Sequence, residues 1–461
     1  MSRPGTDGKP LRVAVIGSGP AGFYTAQALF KAGNPVVQVD MYDALATPFG
    51  LVRYGVAPDH QKIKSVTAVY HKLACRPEFR FFGNVHFGTD VTLDVLKRHY
   101  HQIVFSTGAQ TDRTLGIPGE ELRGSHPATE FVAWYNGHPD FADLRFDLDQ
   151  EAAVIVGVGN VAVDVARILC RTPEELAATD IADHALEALR RSRVRTVYLL
   201  GRRGPAQAAF SNPEIKELGA LGDAETRTLA EEMQLDDAGR AALDDDRTTA
   251  RKVEILRSLI DRSEPGKSKK LIIRFLVSPV ELVGDGRVEN VRIVRNELVV
   301  AEDGSSRCRP VAELDPLPAG LVFRSVGYRG VALPGLPFRD DRGIVPNESG
   351  RVVDAEGAAV RGLYVSGWIK RGPSGVIGTN KPDAAETVNC MLADLEGGRF
   401  LEPELPDPRS VERSLEDRDV RFVSYADWLR IDEQEVARGK SCGRPRVKFT
   451  RRADFLAALA R

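Results

Sequence analysis

The sequence predicts an α/β protein with two Rossmann-like dinucleotide-binding domains, and three observations predict it. Near the start, "LRVAVIGSGPAGFYTAQALFKAG" runs from an apolar strand through a glycine-rich turn into a helix. At 152–170, "AAVIVGVGNVAVDVARILC" repeats that order. The chain is also long: 461 residues exceed one ordinary core, so two domains or more are expected.

Val13 to Ile16 reads as the first strand and Ala21 to Lys31 as its helix, ended by Gly33. Between them Gly17, Gly19 and Gly22 form G-x-G-x-x-G, with Pro20 and Ala21 opening the helix. The first glycine permits the tight turn, the second lets backbone approach a pyrophosphate, and the third lets helix and strand pack closely. The pyrophosphate then meets the unpaired N–H groups and positive dipole of the helix N-terminus. A second strand in "VVQVDMYD" ends at Asp43, where an acid accepts ribose hydroxyls. "QIVFSTGA" (102–109) is a further apolar strand running into the turn at Gly108, and 111–150, rich in glycine and proline, reads as a connector.

The second unit carries Gly157, Gly159 and Ala162, the G-x-G-x-x-A variant, with Asn160 and Val161 beginning its helix. After a polar helical excursion (173–193), the strand "VYLL" delivers "GRRG". A site for the unphosphorylated nucleotide would place an acid there. Arg202 and Arg203 stand there instead, and paired guanidinium groups suit a 2′-phosphate. The second nucleotide is therefore expected to be NADPH and the first, beside Asp43, FAD. Together they perform hydride transfer from nicotinamide to flavin.

Residues 223–270 are highly charged and expected to be helical in part, with Asp244, Asp245 and Asp246 the most acidic run. From 271 come short β-type runs, "LIIRFLVSPVEL", "VENVRIVRNELVV" and "GLVFRSVGY". "GWIKRGPSG" is rich in glycines, which suit close backbone approach to a flat ring. A polar C-terminal tail with Tyr425 and Trp428 closes the chain. The formal charge of −2 argues against a general nucleic-acid binder. The five cysteines are scattered and form no C-x-x-C, so no zinc site or internal dithiol is expected and the electron acceptor must come from outside. With no membrane-length apolar window and no apolar stretch in "MSRPGTDGKP", a soluble cytoplasmic protein is expected.

"VAVIGSGPAGFYTAQAL", "PFGLVRYGVAPDHQKIKSV", "GNVAVDVARIL", "GRRGPAQAAF" and "GWIKRGPSGVIGTNKPDA" together resemble the adrenodoxin reductase family, over residues 11 to 461. The resemblance implies a glutathione-reductase-like arrangement. An FAD domain would be built from both chain ends (1–110 and 329–461), with an NADP domain (111–328) between them. It implies NADPH oxidation with one-electron delivery to a small, acidic iron–sulfur ferredoxin of the [2Fe–2S] or a similar type, which in turn feeds enzymes such as cytochrome monooxygenases. His60 of "APDH" then resembles an active-site histidine near the flavin, and Glu214 of "SNPEI" an acid near the nicotinamide. Asn160, Arg202 and Arg203 match NADP contacts. Gly50, Leu51, Gly108, Trp368, Gly375, Val376 and Ile377 match the flavin surroundings, with Ser374 where a threonine is common. Hydride transfer needs no general base, so positioning is expected to outweigh acid–base chemistry at His60.

An acidic partner implies a basic docking face, for which Arg251, Lys252, Arg257 and Arg262, then Lys267, Lys269 and Lys270, are the candidates. The same two folds also suit an NADPH-dependent flavin oxygenase, another flavin electron-input subunit, or an NADPH-binding regulator.

Overall fold

Leu11 to Ile16 is apolar on both faces, apart from Arg12, because this strand lies inside a sheet covered on both sides. The computed structural model describes residues 3–300 and 306–460. In it the strands Ala359–Val365, Gln102–Phe105, Leu11–Ile16, Val37–Tyr42 and Phe79–Phe82 lie side by side in that order, all parallel. Two short antiparallel strands, Asn347–Glu348 and Arg351–Val353, extend the sheet beyond Ala359–Val365. Both ends of the chain thus contribute to one sheet. Phe23, Tyr70, Met391 and Trp428 fill one face, and Phe82, Tyr100, Phe105 and Ile369 fill the other.

The middle of the chain builds a second parallel sheet in the order Ser125–Pro127, Leu321–Arg324, Ala152–Val156, Thr196–Gly201, Lys269–Phe275, Ala224–Thr228. A three-stranded antiparallel sheet, Val277–Val283, Asn290–Val300 and Ser306–Pro318, stands beside it. Where the chain passes between the two parallel sheets, Thr111–Asp112 pairs with Tyr328–Arg329 in a short antiparallel ribbon.

One expectation changes. The stretch 111–150 is more than a connector: Ser125–Pro127 joins the second sheet, and Phe131, Trp134 and Tyr135 of the helix Ala128–Tyr135 are buried in its core. Turn residues dominated the sequence there and masked one short helix. The C-terminal tail is likewise integrated. The helix Tyr425–Lys440 is polar outside, yet Trp428 and Ile431 pack into the first core and Glu435 is fully buried.

Buried charges explain how that tail is held. Arg53 and Glu435 pair at 2.6 Å with almost no exposure. Asp180, from the middle of the chain, meets Lys64 at 2.6 Å and Lys448 at 3.3 Å. Arg444 donates to the carbonyls of Thr179 and Ile181 and pairs with Asp183. Residues 444–448 therefore fasten the middle unit to the first. Burial works to raise the Asp180 carboxyl, but Lys448 and Lys64 hold it below the ordinary carboxylate range. No helix among the described residues is long and apolar enough to cross a membrane.

Because Asp180 ionises more readily folded than unfolded, its contribution is complete above the usual carboxylate pKa of about 4 and is lost as pH falls through its folded value. Asp180→Asn should destabilise by roughly 3 kcal/mol at pH 7, since it strands two buried ammonium groups. Thermal unfolding at pH 7 and below pH 4 checks this, with the gap from the parent protein shrinking at the lower pH.

Candidate functional site

The first glycine turn has three distinct geometries. Gly17 adopts φ +105°, and a Cβ there would lie 2.5 Å from the carbonyl oxygen of Ser106. A Cβ on Gly22 would strike the Gly17 carbonyl at 2.1 Å, so helix and strand could not close. Gly19 differs: a Cβ there meets nothing within 4 Å. Its bare backbone faces open space at the N-terminus of the helix Pro20–Lys31, as a pyrophosphate cradle requires. Gly50 packs on the far side, where its Cβ would sit 2.9 Å from Gly19 Cα, and Leu51 beside it is exposed. Asp43 follows the second strand as expected. Its Oδ2 accepts from the Ser18 amide and hydroxyl at 2.9 and 2.5 Å, and its Oδ1 from the Leu45 amide at 2.9 Å. Burial raises this carboxyl while those donors pull it back.

The C-terminal segment closes over the same turn. A Cβ on Gly367 would lie 2.5 Å from the Ala21 Cβ, and the Gly367 amide donates to Asp383 at 2.6 Å. Trp368 donates its indole N–H to the Ser374 carbonyl, and its ring lies 5.3 Å from that of Tyr328. Gly375 turns at φ +76° against Thr379, leaving Val376 exposed at 61% and Ile377 half-buried. Apolar side chains held open in this way suit a flat hydrophobic ring. Gly108 lies in the turn that follows the strand Gln102–Phe105, and a Cβ there would meet nothing.

The second cradle repeats the pattern. Gly157, at φ +129°, would place a Cβ 2.2 Å from the Ser325 carbonyl oxygen, whereas a Cβ on Gly159 meets nothing within 4 Å. Ala162 is fully buried. Asn160 opens the helix Asn160–Cys170 with Val161 behind it, and its Oδ1 accepts from the Ser211 amide at 3.0 Å. The amides of Ala209 and Phe210 also donate to the Val158 carbonyl. The "SNPEI" segment is thereby tied to the glycine turn. Ser211 is the N-cap residue of the helix Asn212–Leu218, and Pro213 sits in its first turn. Arg202 and Arg203 leave the strand Thr196–Gly201 exposed, and neither guanidinium pairs with a described carboxylate.

Between the cradles lies a cluster of charged groups. Asp59 pairs with Arg167 at 2.7 Å and Arg171 at 2.8 Å, and Arg167 also meets Asp164 at 2.8 Å. His60 Nε2 lies 2.8 Å from Glu217 Oε2, while Arg167 Nη2 approaches His60 Nδ1 at 3.4 Å. An arginine N–H directed at Nδ1 fits the tautomer in which Nε2 carries the proton and donates to Glu217. Burial lifts the Asp164 carboxyl to about 6, against the pull of Arg167 and His60.

The acid that meets His60 is Glu217, on the same helix as Glu214. Both sit on one short helix three residues apart, and that spacing was the available signal. Glu214 keeps a buried Oε2 with no hydrogen-bond partner among the described residues. Asp59, Asp164 and Arg167 lay inside the quoted motifs but drew no role from the sequence, since the contact that gathers them runs between Asp59 and Arg167, 108 residues apart.

The expected basic docking face is not formed as predicted. Lys252 is buried and donates to the Ala208 carbonyl, Lys269 donates to Leu169, and Lys267 to Leu221. Arg262 donates to the Gly219 carbonyl and pairs with Glu264. Lys269 and Lys270 also begin their strand, at the sheet edge opposite the nucleotide turns. The Lys269 stem and amine serve packing there, whereas Lys270 is exposed. Arg251 and Arg257 remain exposed on the helix Arg247–Arg257.

Two dinucleotide cradles, one carrying an acid and one an arginine pair, joined through His60 and Glu217, define a pyridine-nucleotide-dependent flavoprotein oxidoreductase. The family described as "Pyridine nucleotide-disulphide oxidoreductase" matches residues 11–198. The NADPH-ferredoxin reductase FprA of Mycobacterium tuberculosis is 44% identical, covering 97% of this chain and 99% of that one. The human mitochondrial NADPH:adrenodoxin oxidoreductase is 41% identical over 98% of this chain and 93% of its own. The solved structure of M. tuberculosis FprA in complex with NADPH superposes with a TM-score of 0.92, covering 98% of this chain and all of that one. The chain belongs to the adrenodoxin reductase family.

The two kinds of glycine should separate on substitution. Gly157→Ala forces a Cβ into the Ser325 carbonyl and should lower the thermal midpoint sharply. Gly159→Ala should leave folding and flavin content intact while raising KM for NADPH at least fivefold. Thermal unfolding and steady-state kinetics of both variants check this.

Proposed function

We propose that the chain is an FAD-dependent NADPH:ferredoxin oxidoreductase, with FAD in the first cradle and NADPH in the second. The observation that carries this reading is the combination of an acid at the first strand end with two exposed arginines at the second that pair with no carboxylate among the described residues. When bound, the two cofactors supply hydride transfer from nicotinamide to flavin followed by single-electron release to an iron–sulfur acceptor. The chain's own residues hold and orient. Gly19 and Gly159 present bare backbone to each pyrophosphate, and Asp43 faces a ribose. Arg202 and Arg203 grip the 2′-phosphate.

At the junction, His60 and Glu217 hold one proton between Nε2 and Oε2 and give the reacting rings a fixed polar wall. Their role is orientation, since the transfer itself requires no base. Glu214, with an oxygen left unbonded, is suited to accept from the nicotinamide carboxamide. Trp368, Val376, Ile377 and Leu51 shield the ring system from water. The curated relatives bear ferredoxin or adrenodoxin in their names, which supports a ferredoxin as acceptor here. An acidic ferredoxin would dock beside the nucleotide site on Arg251 and Arg257. The first turn of their helix is linked to the nicotinamide side through Asn212 Nδ2 and the Thr248 carbonyl. The chain would act in the cytoplasm.

Arg202→Ala or Arg203→Ala should raise KM for NADPH well above tenfold and leave NADH nearly unchanged, since a charged contact is worth about 1.5–3 kcal/mol. Kinetics with a ferredoxin and cytochrome c as terminal acceptor decide this, and equal rates with both nucleotides in the parent enzyme would contradict the reading. Charge reversal at Arg251 and Arg257 should raise KM for an acidic ferredoxin several-fold. It should weaken the ionic-strength dependence of that KM and spare NADPH oxidation by ferricyanide.

A further inference from the structure

The turn Gly201–Gly204 is anchored by its backbone, and the anchors come from the antiparallel sheet rather than from the nucleotide-binding sheet that delivers it. The pairing of the strand Asn290–Val300 with Ser306–Pro318 shifts register beside Asn296, where Arg295 faces Ala312 and Asn296 faces Pro310 with Val311 as the extra residue. Asn296 is 3% exposed, and its Nδ2 donates to the Arg202 carbonyl at 3.0 Å and to the Ser278 hydroxyl at 2.8 Å. Cys308, on the next strand, donates its thiol to the same Arg202 carbonyl at 3.2 Å. Leu276 takes a left-handed conformation, φ +56°, that costs energy for a side chain of its size. That conformation turns its amide onto the Arg203 carbonyl at 3.1 Å, and the Asn296 amide in turn donates to the Leu276 carbonyl at 2.7 Å.

The carboxylates nearby are engaged elsewhere. Glu232 takes Arg274 and the Phe275 amide, Glu231 takes Arg295, and Glu297 takes Arg309. The arrangement fixes both backbone units of the arginine pair, and neither guanidinium pairs with a carboxylate of the described residues. A bidentate phosphate contact depends on that: the fork must be aimed before the ligand arrives, or ordering it consumes the interaction.

We propose that Asn296 is the positioning residue for discrimination between NADPH and NADH, acting on the 2′-phosphate only through the Arg202 carbonyl. This rests on the assignment of Arg202 and Arg203 to that phosphate. Asn296→Leu keeps the volume and removes the donor. Asn296→Asp keeps the shape and turns the donor into an acceptor, and it serves if the leucine variant does not accumulate as a flavoprotein.

For either variant we expect KM for NADPH to rise about fivefold to tenfold, KM for NADH to change less than twofold, and kcat and flavin content to hold. The inhibition constant of 2′,5′-ADP should rise in parallel with KM for NADPH, and that of 5′-AMP should not. A merely structural role would shift both nucleotides together or lower kcat, and that result overturns the proposal. An unchanged KM for NADPH overturns it equally. Arg202→Ala, measured alongside, separates the two levels. If that variant loses NADPH selectivity and the Asn296 variants do not, only the positioning role is wrong. If neither does, the phosphate assignment itself is wrong.

Discussion

Arg167 is the point on which the two halves of the site depend. Its side chain has no solvent exposure, and its guanidinium is shared by Asp59 of the outer unit and Asp164 of its own helix. It also reaches His60 and lies 3.7 Å from Glu217. A buried guanidinium must be surrounded by acceptors or it is ruinous to stability, and here the acceptors come from three separate segments. Gathering carboxylates around one buried cation therefore ties the two dinucleotide cradles together, although its Nη1 makes no hydrogen bond among the described residues. His60 and Glu217 meet because Arg167 has already drawn their segments together.

The same logic recurs farther from the chemistry. Lys64, Asp180 and Lys448 come from the first unit, the middle unit and the C-terminal tail, and Arg53 with Glu435 ties that tail to the first unit. Each cluster is polar, buried and built from distant parts of the chain. Apolar packing supplies most of the driving force within each unit, whereas directional ion pairs specify how the units are oriented. A flavin and a nicotinamide react only at near contact, so orientation between units is where geometry matters most.

What could be read from the sequence follows from the range of the interaction. The glycine turns were legible because their work is local: Gly17 and Gly22 are set by clashes with backbone a few residues away or on a neighbouring strand, and Gly19 by the absence of any. The GRRG arginines were legible because strand and turn precede them directly. Glu217 carried no signal of its own because what gives it a partner is His60, 157 residues distant. Only part of the basic stretch 251–270 reaches the surface, for the opposite reason. Charge in a sequence does not say which way a side chain points, and Lys252 and Lys269 point toward carbonyls. The tail looked polar because a single buried stripe, Trp428, Ile431 and Glu435, is thin against its exposed face.

The way the chain crosses between its sheets also bears on synthesis. Every strand of the inner parallel sheet has been made by Arg324, whereas the outer sheet still lacks Ala359–Val365 at that stage, along with the helices that cover it. A growing chain can thus finish its inserted nucleotide unit first, with the earliest residues held open until the latest arrive. The residues around Lys448 and Arg444, among the last to be joined, are the ones that lock the finished insertion to its host.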